Sequence, residues 1–296
     1  MSLRNLRILI AVARKGSFAA AAEQLGLTDS AVSLQMKKME EEFGATLFER
    51  SGRSPRLNAS GRQVLERAQE IVALYDGIKA ELTPEGMVRG VLALGVVPTV
   101  ITGPLPPVLR RLRDRYPELN VRLHSALSVE LSRLVDEGDL DAALITEPPV
   151  AVPEGAEWRE YDVEPFFVAA PAGIGAPSVE ELFDRFPFVR FDKTAWAGAM
   201  VDGQLMARGI HPRDVMELNS IEAALGFVEQ GLGISVVPLN RQRVLEAQRR
   251  FTLIPFGDPP LVRRVGLYRK SRQPRRMLTD LLLEELSRAC GLSRNT

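Results

Sequence analysis

The sequence predicts an N-terminal winged helix-turn-helix, all-α with a small β wing, then a long linker helix and a two-lobed α/β domain. Three observations predict it. Apolar residues at helical spacing, punctuated by glycines, fill residues 1–58. A seven-residue apolar repeat then occupies 59–86. From 87 to 296 short apolar runs alternate with amphipathic helical segments.

Length and charge agree with this division. A chain of 296 residues exceeds the usual single-core size. The formal net charge is zero, yet residues 1–60 hold nine Lys/Arg against six Asp/Glu, whereas residues 83–296 hold 26 against 28. A polyanionic partner is therefore expected at the N-terminal part. A single cysteine, Cys290, and two histidines, His124 and His211, leave little for a disulfide or a Cys/His metal site. Arginines interrupt any signal-like N-terminal segment, and the apolar run at 91–101 contains Gly95 and Pro98. It is far shorter than the roughly 20 residues that span a bilayer, so the expectation is a cytoplasmic protein with no membrane partner.

The first helix places Leu3, Leu6, Ile10 and Ala13 at helical spacing and ends at Gly16, a C-terminal glycine cap. Ser17 caps the short helix "FAAAAEQL", whose small residues allow close backbone approach. After Gly26 a third helix begins, with Val32, Met36, Met39 and Phe43 as its packing stripe. Ser30, Ser33, Leu34 and Lys37 lie on the opposite side, with Lys38 also turned outward. Helix, short helix, glycine turn, helix is the layout whose second motif helix enters a DNA major groove. The following "LFERSGRSPRLNASG" supplies Arg50, Arg53 and Arg56 around a Gly-Arg-Ser-Pro turn. It reads either as a wing whose arginines meet phosphates or as an exposed basic loop.

The segment "VARKGSFAAAAEQLGLTDSAVSLQMKKMEEEFGATLFERSGRSPRLNASG" resembles the winged helix-turn-helix of LysR-type transcriptional regulators. The likeness lies at Gly16, Ser17, Phe18, Ala21, Ala22, Leu25, Ser33, Gln35, Glu40, Leu47, Phe48, Arg50 and Gly61. It implies a transcriptional regulator of double-stranded DNA, with a periplasmic-binding-protein-like effector domain and no cofactor. The chain departs from the family after the capping residue, where members usually carry Gln-Pro and this sequence has Asp29 and Ser30. Two accounts of Asp29 compete. In one, Thr28 caps the helix and Asp29 sits in the first turn, favoured by the helix dipole by ~0.3–1 kcal/mol. In the other, Asp29 enters the groove and accepts a hydrogen bond from a cytosine amino group.

From Asn58, a good N-cap, Val64, Ala68, Ile71, Tyr75, Ile78 and Leu82 recur at heptad spacing. This stripe packs either on a second copy, making a homodimer or homotetramer, or on its own domain. The resemblance implies the first.

In the last two hundred residues "VLALGVV", "LNVRLHS", "LDAALI", "FFVAAP", "FPFVRF", "GISVVP" and "RVGLYRK" read as strands of a largely parallel sheet. The interruption "TEPPVAVPEG" favours two lobes, and the resemblance places lobe one at about 87–161 and 265–296 and lobe two at about 162–264. Ligands of open α/β sheets bind beyond strand carboxyl ends, where helix N-termini offer amide donors. Such junctions fall at Pro98, Thr99 and Val100, from Ser125 to Ser128, from Arg190 to Trp196 with Phe191 and Asp192 between, and at Asn219 and Ser220. Thr99 and Ser128 match effector-contacting hydroxyl residues of the family and read equally as plain N-caps. Arg190 reads either as a bidentate clamp for a carboxylate, with Trp196 stacking nearby, or as a surface partner of Asp192.

The expected function is a DNA-binding regulator controlled by an anionic small molecule between the lobes. An enzyme is not expected: the chain has no G-x-S-x-G nucleophile motif and no phosphate-binding Gly-rich loop. A solute sensor with impaired DNA binding is the alternative that Asp29 keeps open.

Overall fold

The computed structural model describes residues 2–49, 54–81, 90–175 and 177–291. The chain divides into two compact units, one of Met1–Glu85 with Arg272–Arg276 and the other of Gly86–Ser271 and Met277–Thr296. Among the described residues no helix is long and apolar enough to cross a membrane.

Local chemistry sets the N-terminal unit. Helix α1 (Leu3–Lys15) is capped by the Ser2 hydroxyl, which accepts the Asn5 N–H, and stops at Gly16 with φ 62°. Helix α2 (Phe18–Leu25) is capped by Ser17 and stops at Gly26, φ 64°. Helix α3 (Asp29–Phe43) is capped by Thr28 and stops at Gly44, φ 61°. Only glycine takes such left-handed angles without penalty, so the three glycines end three helices. Helix α1 buries Leu6, Ile8, Leu9, Ala11 and Val12, a wider face than the stripe of Leu3, Leu6, Ile10 and Ala13, because α2, α3 and the linker helix all pack on it. Val32, Met36 and Met39 are buried as expected, but Phe43 is 41% exposed. The last turn of α3 has left the core there, and Glu40 uses it to accept the N–H groups of Leu47 (2.6 Å) and Phe48 (3.2 Å). The wing is a single antiparallel bridge, Phe48 with Leu57.

Helix α4 (Ala59–Glu81) starts where Asn58 Oδ1 accepts the Gly61 N–H at 2.8 Å. A Cβ on Gly61 would lie 2.1 Å from the Leu47 carbonyl oxygen, a backbone atom that cannot swing aside. Gly61→Ala is therefore expected to destabilise the N-terminal unit by about 1–3 kcal/mol through overpacking. Chemical denaturation of the intact protein, followed through this unit, checks it; an unchanged midpoint would mean that α4 shifts freely.

The second unit begins with β1 (Gly90–Val96), α5 (Pro98–Ile101), α6 (Leu105–Arg115), β2 (Leu119–Ser125), α7 (Ser128–Glu137) and β3 (Ala142–Thr146). The chain then crosses on the long β4 (Ala156–Pro171). There it forms α8 (Val179–Arg185), β5 (Phe188–Phe191), α9 (Trp196–Ala207), β6 (Asp214–Leu218), α10 (Ile221–Glu229), β7 (Ser235–Pro238), α11 (Arg241–Ala247) and β8 (Phe251–Pro255). It returns on β9 (Val262–Lys270) and closes with α12 (Arg276–Cys290).

The main sheet has the order β2-β1-β3-β9-β4-β7, with β8 also paired to β4. It is mixed rather than largely parallel. β1 pairs in parallel with β2 and β3, and β5 with β6, but β9 runs antiparallel to β3 and β4, as do β7 and β8 to β4. The cause is the connection itself: one strand carries the chain out of the first lobe and another brings it back, so they run in opposite senses. One core gathers Leu92, Val108, Leu131, Leu144, Leu267 and Leu282. Two further cores, one around Phe166, Phe188 and Phe256 and one around Ile221, Val237 and Phe251, belong to the other lobe.

Candidate functional site

Two surfaces carry the residues that sequence reasoning singled out. On α3 the buried stripe faces α1 and α2, which leaves Thr28, Asp29, Ser30, Ser33, Leu34, Lys37 and Lys38 exposed. Leu34, on the same face, is 51% exposed. The Thr28 hydroxyl accepts the Ala31 N–H at 3.2 Å and lies 3.2 Å from the Ser30 hydroxyl. Asp29 thus occupies the first turn, where the helix dipole favours a carboxylate. Arg56 is exposed on the wing, its carbonyl accepting the Glu49 N–H at 2.8 Å. Arg50 and Arg53 lie outside the described residues.

The heptad stripe of α4 divides. Val64 and Ala68 pack into the core of their own unit, with Leu65 and Val72 beside them. Ile71, Leu74 and Tyr75 are 42%, 58% and 41% exposed. Ile78 continues the helix, and Leu82 lies outside the described residues. The exposed apolar face of α4 therefore starts later than the expected seam and includes Leu74, because α1 already covers the first turns of α4.

The second surface is a cleft between the lobes of the C-terminal unit, lined by Pro98, Thr99, Ser128 and Thr146 from one side, by Phe191, Trp196, Asn219 and Ile221 from the other, and by Arg263 on the returning strand β9. The first turns of α5, α7, α9 and α10 all reach it. Its free volume is about 20 Å³, room for about one water. At the rim the Thr102 hydroxyl donates to Glu222 Oε1 at 2.8 Å, and Arg243 Nη2 donates to the same oxygen at 2.7 Å. Burial opposes ionisation of Glu222, but these donors and its own backbone N–H hold it below the usual carboxylate range. A larger cavity of about 250 Å³ opens between α6 and α12, where Arg111 and Arg288 are already matched by Glu284 and Glu285.

Several expected cleft residues are in the lining and others are not. Pro98, Thr99, Ser128, Phe191 and Trp196 line it. Thr99 and Ser128 are both 5% exposed, and the Ser128 hydroxyl accepts the Thr146 N–H at 3.3 Å. Val100 is buried in the first lobe's core, and Ser220 caps α10 by accepting the Ala223 N–H. Asp192 accepts the N–H and hydroxyl of Thr194 in a local turn. Arg190 is the clear correction. Side chains alternate along β5, so Phe191 faces the cleft and Arg190 does not. Its Nε and Nη2 bind Asp214 bidentately at 2.8 and 2.9 Å, Nη1 pairs with Asp202, and the guanidinium lies 4.9 Å from the Phe188 ring centre. Neither the carboxylate clamp nor the Asp192 surface pair forms.

The cation in the cleft is Arg263, which sequence reasoning missed. It is 3% exposed. Its Nε donates to Glu164 Oε2 at 2.8 Å, and its Nη2 donates to the same oxygen and, at 2.9 Å, to the Thr99 hydroxyl. Glu164 is its cross-strand neighbour on β4. Burial, reinforced by the charge of Glu164, pushes the nearby Asp162 carboxyl up to about 6 despite hydrogen bonds from Cys290 and the Val163 N–H. Burial and Asp162 in turn push the Cys290 thiol well above its ordinary range.

Residues 3–62 match the family described as "Bacterial regulatory helix-turn-helix protein, lysR family", and residues 85–291 match "LysR substrate binding domain". The HTH-type transcriptional regulator CzcR of Bacillus cereus is 32% identical over 241 residues, 80% of each chain. The chain belongs to the LysR family of transcriptional regulators. Another LysR-type relative, the HTH-type transcriptional regulator IlvR of Caulobacter vibrioides, is 29% identical over 269 residues, 88% of this chain and 90% of its own. Among solved structures, a full-length OxyR from Pseudomonas aeruginosa superposes with a TM-score of 0.74 at 23% identity, covering 97% of this chain and 94% of that one. Full-length LysG from Corynebacterium glutamicum with bound effector Arg gives 0.67 at 20% identity over 99% of each chain. These two likenesses concern the fold. As a LysR-type regulator, the chain joins a DNA-binding head to an effector-responsive domain.

Proposed function

We propose that this LysR-type regulator reads DNA with the outward face of α3, assembles through the exposed half of α4, and responds to a small organic anion held in the interlobe cleft. The observation that carries the reading is the pairing of two features in one chain. A helix presents Ser30, Ser33, Leu34, Lys37 and Lys38 outward, and a cleft is ringed by hydroxyls, helix N-termini and one buried guanidinium. Arg56 and, by their place in the sequence, Arg50 and Arg53 would contact the phosphates beside the groove. Lobe one would comprise about 87–161 and 265–296 and lobe two about 162–264, with closure on the effector shifting how paired heads sit on DNA. The cytoplasm is the compartment such a regulator needs.

Fluorescence anisotropy on the chain's own upstream intergenic DNA, against a scrambled duplex and across a salt series, tests the reading. The expected result is a preference of roughly a thousandfold or more for the native site, with affinity falling as salt rises because lysines and arginines displace counterions. Equal affinity for both duplexes, with and without candidate metabolites, would instead favour a sensor that no longer reads DNA. In the same assay Asp29→Gln is expected to strengthen or re-target binding, since it removes a negative charge from the end of α3 nearest the phosphates. Unchanged affinity and site preference would show that the side chain faces away from the duplex.

A further inference from the structure

We infer that the cavity between α6 and α12 is a second ligand site, outside the interlobe cleft, and that it takes a small phosphate monoester with Arg115 as its anchor.

Two packed helices build the walls. Helix α6 buries Leu105, Val108 and Leu112, and α12 buries Leu278, Leu282, Leu283 and Leu286. Both are fixed on the first lobe's core in this way, so the side chains on their outer faces keep their spacing. Between them the cavity measures about 250 Å³, against about 20 Å³ in the interlobe cleft. Leu112, Leu281 and Tyr116 supply its apolar wall, and Arg111, Arg115 and Arg288 with Glu284 and Glu285 supply its charge.

The ion pairs decide which charge is left over. Arg111 donates through Nε to Glu285 Oε2 at 2.8 Å and through Nη2 to the Glu285 carbonyl at 3.4 Å. Arg288 donates through Nη1 to Glu285 Oε1 and through Nη2 to Glu284 Oε1 at 3.1 Å. Two carboxylates are thus answered by two arginines. Arg115 is the third arginine, and among the described residues it pairs with no carboxylate; its guanidinium lies over the Tyr116 ring, 5.3 Å from the ring centre. A guanidinium over a ring keeps its in-plane N–H groups for oxygen acceptors. The carboxyl end of α6 carries roughly half a negative charge, but Arg110, Arg111, Arg113 and Arg115 against Asp114 outweigh it in the last two turns. An anion is therefore the ligand that the site's charge favours.

The donor set selects phosphate among anions. Arg111 and Arg115 stand one turn apart on α6, and Arg288 reaches the same cavity from α12. Nη1 of Arg111 and Nε of Arg288 have no acceptor among the described residues. Donors converging from three side chains suit the several oxygens of a tetrahedral anion, whereas a planar carboxylate uses the Arg115 fork alone. A phosphate monoester, with a second pKa of about 6, is also mostly dianionic near neutral pH, which strengthens its attraction to a cationic site.

Calorimetric titration of the full-length protein with phenyl phosphate, phenylacetate and benzylamine at neutral pH tests this. Phenyl phosphate should bind, at least about tenfold more tightly than phenylacetate, and benzylamine should not displace it. Arg115→Gln should weaken phenyl phosphate by at least about tenfold, the usual size of a lost hydrogen bond to a charged group. Glu284→Gln, which takes a negative charge from the rim, should tighten it. Arg115 and Glu284 are both exposed, so neither substitution disturbs the core, and circular dichroism checks that the helices remain. Phenyl phosphate that fails to bind would overturn the inference, as would phenylacetate binding equally well at a site lost in Arg115→Gln. Affinity unchanged in Arg115→Gln but lost in the cleft variant Ser128→Ala would place the ligand between the lobes and overturn it too. None of these results touches the reading of α3 or of the interlobe cleft, which DNA anisotropy tests separately.

Discussion

Leu74→Glu is expected to turn the assembled regulator into monomers and to weaken binding to its own operator by at least about a hundredfold. The first turns of α4 are already spent, because Val64, Leu65, Ala68 and Val72 complete the core of the N-terminal unit. The next exposed apolar residues, Ile71, Leu74 and Tyr75, follow one another at helical spacing and share a face. Leu74 is the most exposed of the three, so a second copy of α4 gains most by covering it. A carboxylate at that position would be buried against its own symmetry mate, a repulsive contact on a twofold seam. DNA affinity falls with it because two linked heads bind two half-sites at high effective concentration, and separate heads do not. Sedimentation velocity and anisotropy read the two effects, and circular dichroism shows whether α4 stays helical. Leu74→Met serves as the control that keeps an apolar seam. A Leu74→Glu protein that remains assembled and binds DNA as before would show that this face is not the interface.

The same helix shows what was legible in the sequence. What neighbours a few residues away set could be read: the caps Ser17, Thr28 and Asn58, the glycine stops at 16 and 26, and the stripe of Val32, Met36 and Met39. The heptad in α4 was legible as a pattern, but not its division between the unit's own core and an exposed half. That depends on where α1 lies in space. In the C-terminal unit the apolar runs at β1, β2, β3, β5 and β7 marked strands. The first half of β4, "AEWREYDVEP", did not, because its charged residues are satisfied by partners on β9 far away in sequence. The short strands β6 and β8 carried too little pattern to stand apart from loops.

The two arginines are the sharpest case. Arg190 stood beside Trp196 in "VRFDKTAW" and looked like the ligand's cation, yet the pleat turns it to Asp214 and Asp202. Arg263 stood at the start of "VRRVGLYRK" with no signal of its own. Its role appears only with the register that places it opposite Glu164 and against Thr99, 164 positions away in sequence. Alternation along β5 could have warned against Arg190, since Phe191 and Arg190 cannot both face one cleft. Nothing local could have found Arg263.

Arg263→Met is expected to cost the C-terminal unit about 3–5 kcal/mol near neutral pH, the usual penalty for removing one member of a buried ion pair. Both side chains are at most 5% exposed, so water cannot take over the lost partner. Methionine fills much of the arginine's stem volume. What it leaves is Glu164 ionised in the interior beside Asp162, and a Thr99 hydroxyl without its donor. Two further measurements separate this account from simple loss of packing. The first is pH. In the variant the stranded carboxyl has a folded-state pKa raised above its unfolded value, so the penalty is complete above the folded pKa and fades as pH falls toward the unfolded one. The variant should therefore approach the native protein's stability in acid. The second is rescue. In Arg263→Met with Glu164→Leu no charge is stranded, and most of the loss should return, since apolar replacement of a whole buried pair is often neutral. Urea denaturation of the C-terminal unit at two pH values, on the single and double variants, reads all of this. An equal, pH-independent loss in both would assign the energy to shape. Recovery in the double variant would mean that the guanidinium is held in the cleft at a cost that packing alone would avoid, which is what a residue kept for its ligand should show.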